Sequence, residues 1–418
     1  MAKTNPLPGT SDIFFPEITD WQNVENAVKK IFLRYGYSEL RTPIFERTAV
    51  FTKGIGGETD IVQKEMYTFT DRGNRSLTLR PEGTAGVMRA LADQGFDQNE
   101  EKRVYYFGPM FRGERPAAGR KRQFHQIGVE CAGTVSPAID AENIIMLVRY
   151  LEYVGLKKFS VQLNSRGTPE DIKSVAEILR KIFAENIAQM CEDCQRRLKT
   201  NVWRILDCKQ DACQEYIEKT PELLQYYSQE SREYFEEVCS LLDSVDIKYE
   251  KNPRLVRGLD YYVHTVFEVT HSGLGAQDAI AGGGRYLIPV AGVKKPVAGV
   301  GFALGVERLL MARESEDVIC DMSSLLDVFL ISLGEKAAEK NFQIAEELRA
   351  RDISVQIPYL RKSMKSQMRA ANKSGAAFTL ILGEDELEKG IIQCRNMLDG
   401  TQDELSLISL TETVKKML

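Results

Sequence analysis

Phe111-Arg112-Gly113-Glu114-Arg115-Pro116, then Ala117-Ala118-Gly119, then Arg120-Lys121-Arg122-Gln123-Phe124-His125-Gln126, is the stretch on which the fold turns. It lies within Arg103 to Glu130, which reads as two strands joined by a basic loop with a small-residue turn at its tip. Such a hairpin holds guanidinium groups over a polyanion and sets an aromatic ring where it can stack on a base. Taken alone, the same pattern also describes a solvated basic hairpin. The company it keeps decides between the two.

Upstream, Trp21, Val24, Val28, Ile31, Phe32 and Tyr35 fall at helical spacing, with Asp20 as the expected N-cap and Gly36 as the stop. A strand-like stretch, Tyr37 to Arg41, ends at Thr42-Pro43, because proline cannot donate to a sheet ladder. Short strands and turns from Tyr67 to Val129 predict an antiparallel sheet. The chain then turns charged and helical over 169–246, and four of its eight cysteines lie between Cys191 and Cys213. Strands and glycine turns resume from Leu255 to Val300, followed by an apolar helix expected over Ala303 to Ala312. Beyond a polar linker, Glu314 to Ser324, the grammar alternates: strand Val328–Leu333, helix Ala337–Arg351, strand Ile353–Ile357, helix Ser363–Ser374, strand Phe378–Leu382. The expectation is an α+β chain. An antiparallel body in two parts, 1–168 and 247–320, is split by a helical insertion, 169–246, and followed by an α/β module with a largely parallel sheet, 326–418.

Composition sets outer limits. At 418 residues the chain exceeds one average domain, and 43% hydrophobic with 28% charged residues is ordinary globular usage. No apolar run approaches the roughly 20 residues that span a bilayer, so no membrane partner is expected. Met1 to Pro8 lacks the apolar core of a secretory leader. Eight cysteines without such a leader point to the cytoplasm and to mostly free thiols. A net charge of −5 weighs against nucleic acid as a partner, but says nothing of local patches, and the cations here are clustered.

Phe-Arg-Gly-Glu followed by Gly-Arg-x-Arg-x-Phe-x-Gln resembles motif 2 of class II aminoacyl-tRNA synthetases. Gly301-Phe302-Ala303-Leu304-Gly305-Val306-Glu307-Arg308-Leu309 resembles their motif 3, and the first helix, strand and Pro43 resemble motif 1, which in that class lies at the dimer interface. Four further segments are similar to the histidyl-tRNA synthetase family. They are Pro8-Gly9-Thr10-Ser11-Asp12, Leu79-Arg80-Pro81-Glu82-Gly83-Thr84, Arg257-Gly258-Leu259-Asp260-Tyr261-Tyr262 and Ala281-Gly282-Gly283-Gly284-Arg285-Tyr286. Arg-Gly-Leu-Asp-Tyr-Tyr is the most specific of these. The likeness spans nearly the whole chain and is weakest in the insertion.

The resemblance implies ATP-dependent activation of L-histidine to histidyl-adenylate, then transfer to the 3′ end of tRNA(His). It also implies a homodimer, with the Trp21–Tyr35 helix face at or beside the two-fold. Arg112 would hold the α-phosphate, Arg257 the α-phosphate and substrate carboxylate, Arg308 the γ-phosphate, and Arg120 the triphosphate. Phe124 would stack on adenine, Glu114 would accept from its amino group, and Mg²⁺ would arrive with ATP. The substrate loop brings Glu82, Gly83 and Thr84 to histidine; Glu82, Thr84 and Gln126 would take the α-ammonium. Glu130 and Tyr262 would read the imidazole, with Tyr261 lining the site. Arg115 and Lys121 would touch the tRNA acceptor end. The C-terminal module resembles the anticodon-binding domain of several class II enzymes, and Lys362, Lys365, Arg369 and Lys373 form a basic stripe on it.

The chain departs from the family pattern in two places. Leu287-Ile288 stands where Asp-Gly is usual, and Val263-His264 where a polar residue and Arg are usual. By strand alternation His264 falls on the side of Tyr262, either at the pocket edge or in the core. Cys191-x-x-Cys194 with Cys208 and Cys213 offers two thiolate pairs, read either as a structural zinc site or as metal-free thiols. Three rival readings are a synthetase-like regulatory subunit, a synthetase for proline or threonine, and an RNA-binding protein on a decayed synthetase. The C-terminal module and the retained active-site residues argue against the first, Arg257-Gly258-Leu259-Asp260-Tyr261-Tyr262 against the second, and the presence of Arg112, Arg257 and Arg308 against the third.

Overall fold

In the computed structural model, which describes residues 5–57, 59–96, 100–290, 293–318, 326–358 and 363–418, the periodic apolar residues near the N-terminus form the helix Glu17–Phe32. Trp21, Val24, Val28, Ile31 and Phe32 are at most 3% exposed and join the main core. Burying each such side chain stabilises the fold by about 1.5–3 kcal/mol. This face is therefore spent inside the chain, which leaves a place beside a two-fold as the form of the expectation still open to the helix. Asp20 lies within the helix and pairs with Arg313 at 2.7 Å instead of capping it. Gly36 does end the run, at φ +79°.

The chain divides into two compact units, Met1–Cys320 and Asp321–Leu418. The first is built on a sheet whose strands run in spatial order Ser38–Glu39, Lys102–Phe111, Gln123–Ala132, Val297–Gly305, Ala279–Ile288, Tyr262–His271, Phe159–Ser165 and Glu250–Lys251. Only the pairings at the two edges are parallel. The helix expected from Ala303 starts at Val306, because Ala303 is still paired with Gly128 on one side and Gly282 on the other. A small second sheet, Phe45–Arg47, Ser76–Leu79 and Thr68–Thr70, stands beside it.

Alternation fails at His264. Gly284 faces Val266 while Arg285 faces Val263, so His264 and Thr265 are extra residues in a bulge. His264 takes φ +46°, stacks on Tyr234 at 4.4 Å and is turned away from Tyr262. Burial, aided by the Arg285 charge, pushes its pKa down to about 4. The Leu287-Ile288 departure continues the strand, with Ile288 buried against the second core cluster.

Within the insertion, a capping box at Thr168 and Asp171 starts the helix Pro169–Ala184. A separate apolar cluster runs from Val175 to Tyr227 and takes in Val256 from outside the insertion. The helix Gln229–Asp243 behaves differently: its Phe235, Val238 and Leu242 enter the main core. No helix among the described residues is long and apolar enough to cross a membrane.

The C-terminal unit has a mixed sheet, not a largely parallel one. Val355–Gln356, Val328–Ser332 and Phe378–Leu382 are parallel, and Ile391–Asn396 and Gln402–Ser406 add an antiparallel hairpin. Lys365, Arg369 and Lys373 are exposed on the helix Met364–Ser374, and Lys362 lies outside the described residues.

Candidate active site

Two glycine contacts show how the central strands make room for chemistry. A Cβ on Gly301 would sit 2.3 Å from a Glu130 carboxylate oxygen, and one on Gly282 would sit 2.3 Å from the Arg257 guanidinium. The bare backbone thus accepts a charged side chain, at Gly301 from the neighbouring strand and at Gly282 from the loop that precedes the strand Tyr262–His271. Above these strands opens a cavity of about 410 Å³, inside the range of small-molecule sites. It is lined by Glu82, Thr84, Arg112, Glu114, Arg120, Phe124, Gln126, Glu130, Arg257, Tyr261, Tyr262 and Arg308, which the sequence reading assigned to the histidine and ATP sites from four separate segments, and by Lys121, which it assigned to tRNA.

At the deep end Glu130 is 2% exposed. Thr84 Oγ1 donates to one of its carboxylate oxygens at 2.6 Å and the Tyr286 hydroxyl to the other at 2.8 Å. Burial raises its pKa to about 8, against the pull of those two hydroxyls. Burial also drives the hydroxyls of Tyr261, Tyr262 and Tyr286 upward, which keeps them protonated donors. Glu82 accepts from the backbone N–H groups of Thr84 and Ala85 at 2.7 and 2.9 Å, so its carboxylate first serves to cap the helix Thr84–Asp93. Gly83 is absent from the wall. It is glycine because a Cβ would lie 2.2 Å from the Tyr106 ring. Gln126 keeps a buried Oε1 with no hydrogen-bond partner among the described residues, a vacancy an ammonium can fill.

The outer half is cationic. Arg112 donates to the Pro81 carbonyl at 2.9 Å and lies over the Phe124 ring at 5.1 Å. Arg120 pairs with Glu114 at 2.5 Å, and Arg308 donates to the carbonyls of Gly119 and Ala279, both at 2.8 Å. Burial, then the nearby charges of Arg120 and Arg112, depress the Arg308 pKa. Like charges crowded this closely call for an anion among them. Arg257 is braced by an ion pair with Glu268.

Arg115 is exposed and off the wall, whereas Lys121 is on it and donates to Ser11 Oγ at 3.0 Å. The sequence reading missed Glu268, Asp207 and Tyr106 as wall residues and assigned no role to Tyr286. Glu268 had left a trace: a lone carboxylate in the apolar strand Val266-Phe267-Glu268-Val269.

A model of the histidyl-tRNA synthetase family matches residues 9–309, and one of the anticodon-binding domain matches 327–417. The chain belongs to the histidyl-tRNA synthetase family. It is 45% identical over 413 residues to a histidine–tRNA ligase of Halothermothrix orenii, covering 98% of both chains. Identity to that of Bacillus cytotoxicus is also 45%, over 96% of each. Among solved structures, the apo histidyl-tRNA synthetase of S. aureus superposes with a TM-score of 0.81 at 35% identity, covering 99% of this chain and 100% of that one.

Outside the cavity, the Sγ atoms of Cys191, Cys194, Cys208 and Cys213 lie within 4.8 Å of one another and could hold a metal ion. All four are free thiols.

Proposed function

We infer that the cavity carries out both steps of the histidine–tRNA ligase reaction, with the residues above in specific roles. In activation the histidine carboxylate attacks the α-phosphorus of Mg–ATP and pyrophosphate leaves, so two anionic groups are forced together. Arg112 and Arg257, each pre-aimed by its own partner, Pro81 O and Glu268, supply fixed positive charge without reorganisation. Arg308 and Arg120 take the outer phosphates, and Phe124 offers its ring to adenine. Glu114 turns from Arg120 toward the base amino group when the triphosphate draws Arg120 away.

At the other end, a neutral imidazole presents one N–H and one bare nitrogen. Glu130 accepts the first and the Tyr262 hydroxyl donates to the second, with Tyr261 and Tyr286 as walls. Gln126, with Glu82 and Thr84, receives the α-ammonium. The observation that carries this reading is the buried Glu130 held by two hydroxyls at the floor of an arginine-lined cavity.

Three further roles complete the reading. Ile44, Phe45, Tyr67 and Phe69 are 37–52% exposed, with the rings of Phe45 and Phe69 6.4 Å apart, and this patch supports a homodimer. Exposed Lys365 and Arg369 with Arg115 contact tRNA, and the chain works in the cytoplasm. The four cysteines take zinc: Cys191 and Cys208 Sγ stand 3.8 Å apart, and about 3.8 Å is the edge of a tetrahedron with Zn–S bonds near 2.3 Å.

Arg257→Lys tests the central role. A point charge cannot reproduce the planar fork, so ATP–pyrophosphate exchange with histidine should fall about 100- to 1000-fold. Near-normal exchange would remove Arg257 from the transition state.

A further inference from the structure

The chain between the second and third cysteines of the insertion touches the wall of the cavity. Asn201 Nδ2 donates to Asp260 Oδ1 at 2.7 Å, and Arg204 Nη1 donates to the Gly258 carbonyl at 3.0 Å. Arg204 Nη2 also lies 3.8 Å from Asp60 and 3.9 Å from Asp207, and Asp207 is both a wall residue and the neighbour of Cys208. Along this wall the faces alternate. Val256 enters the insertion's apolar cluster, and Gly258 and Asp260 are held by Arg204 and Asn201, while Arg257, Leu259 and Tyr261 face the cavity. One face of the segment belongs to the insertion and the other to the substrates.

We propose that a zinc ion on Cys191, Cys194, Cys208 and Cys213 staples the insertion into a brace for residues 256–260, with Arg204 and Asn201 as positioning residues for histidine activation. The proposal rests on the readings of the cavity and of the zinc site given above. Residues 201–208 are packed through Val202, Trp203, Ile205 and Leu206 in the insertion's apolar cluster, and a metal centre would fix the ends of the segment that this packing leaves to short elements. The segment contains one turn of 3-10 helix, Val202–Ile205, between the helices Glu192–Lys199 and Asp211–Glu218, each 8 residues long. Helices this short are marginal in water without tertiary support. A tetrathiolate centre clamps both at once: Cys191 precedes the first, Cys194 lies in it, Cys208 follows the 3-10 turn, and Cys213 lies in the second. The Cys191 amide already donates to Cys213 Sγ at 3.3 Å, which crosses between the two helices. The Arg204 carbonyl is in turn held by Arg197 at 3.1 Å, so the turn is tied to the first helix as well. The position of Arg257 is thereby set from outside the cavity.

The test uses full-length protein prepared without chelator. Metal analysis should find roughly one zinc per chain, the stoichiometry of a single tetrathiolate centre. Stripping with an organomercurial and chelator should speed hydrogen exchange at the amides of 256–260 and slow histidine-dependent pyrophosphate exchange, and added zinc should restore both. Arg204→Met should keep its zinc yet show the same two changes, with the exchange rate down about 10- to 100-fold, as misplacement of a reacting group predicts. Arg204→Lys, which keeps a donor for the Gly258 carbonyl, should recover part of the loss. Zinc-loaded Arg204→Met with parental kinetics and protection would overturn the brace while leaving the zinc reading standing. Protein with no metal, or stripped protein with parental behaviour, would overturn the staple. The role of Arg257 itself is judged separately by Arg257→Lys.

Discussion

Glu130 shows what selectivity demands of one residue. Its ordinary pKa is 4.5 and burial lifts it to about 8. The unfolded chain loses this proton near the lower value, and the folded chain keeps it to the higher one. Between them the folded state binds more protons, so this group's contribution to stability falls as pH rises from 4.5 to about 8 and then levels off. Glu130→Gln removes the ionisation. Its stability should therefore gain on the parent as pH goes from about 5 to 8, by an amount on the order of 2–4 kcal/mol at the upper end, seen as a rising relative melting temperature. Scanning calorimetry of both proteins across that range checks the sign. The same variant should need far more histidine while its Michaelis constant for ATP stays nearly intact. Polar readout of this type discriminates by roughly 10⁴-fold without editing, because a substrate lacking the groups leaves buried partners unpaired. An unchanged histidine constant would mean that the imidazole is read elsewhere.

Among the elements, the strand Ala279–Ile288 and the helix Pro137–Tyr153 are joined by Arg285 and Asp140, both 1% exposed or less, at 2.5 Å. Tyr234 donates to the same carboxylate at 3.0 Å, and Arg285 also donates to the Thr134 carbonyl at 2.7 Å. Asp140→Asn strands a buried guanidinium and should cost about 3–5 kcal/mol in urea unfolding, with the m-value unchanged. A loss under about 1 kcal/mol would mean that the backbone carbonyls alone satisfy Arg285. Neither partner is legible from sequence, since the pair spans 145 residues. What sequence did disclose were local signals. Periodicity announced the first helix and the alternation of the C-terminal unit, and the signature segments brought Arg112, Gln126, Glu130, Arg257 and Arg308 to one cavity. It failed where tertiary context overrides local pattern. The bulge at His264 reverses a two-residue alternation, and Ala303 is kept extended by strands on both sides. Tyr286 could be quoted but not given a role, because only the fold brings its hydroxyl to Glu130.

For the whole molecule, the assembly is the first thing to measure. Phe45→Asp with Phe69→Asp places charge on the exposed apolar patch, and sedimentation at micromolar concentration should shift from dimer to monomer, with activity reduced. A fully active dimer in that variant would move the interface elsewhere. The order of the main sheet carries a different consequence. The strands around Glu130 and Gly301 are neighbours in space but far apart along the chain, and the cavity wall runs from Glu82 to Arg308. On a ribosome, the strand that carries Glu130 emerges long before the strand that must lie against it. At about 5–20 residues per second, that interval is roughly 9 to 34 seconds. During it, the strand Gln123–Ala132 of the hairpin presents an open edge, with Phe124, Ile127 and Val129 on it, to whatever is nearby. Synthesis of this enzyme should therefore lean on chaperones that shield β-edges, and slowing translation before residue 297 should lower its soluble yield more than slowing it afterwards.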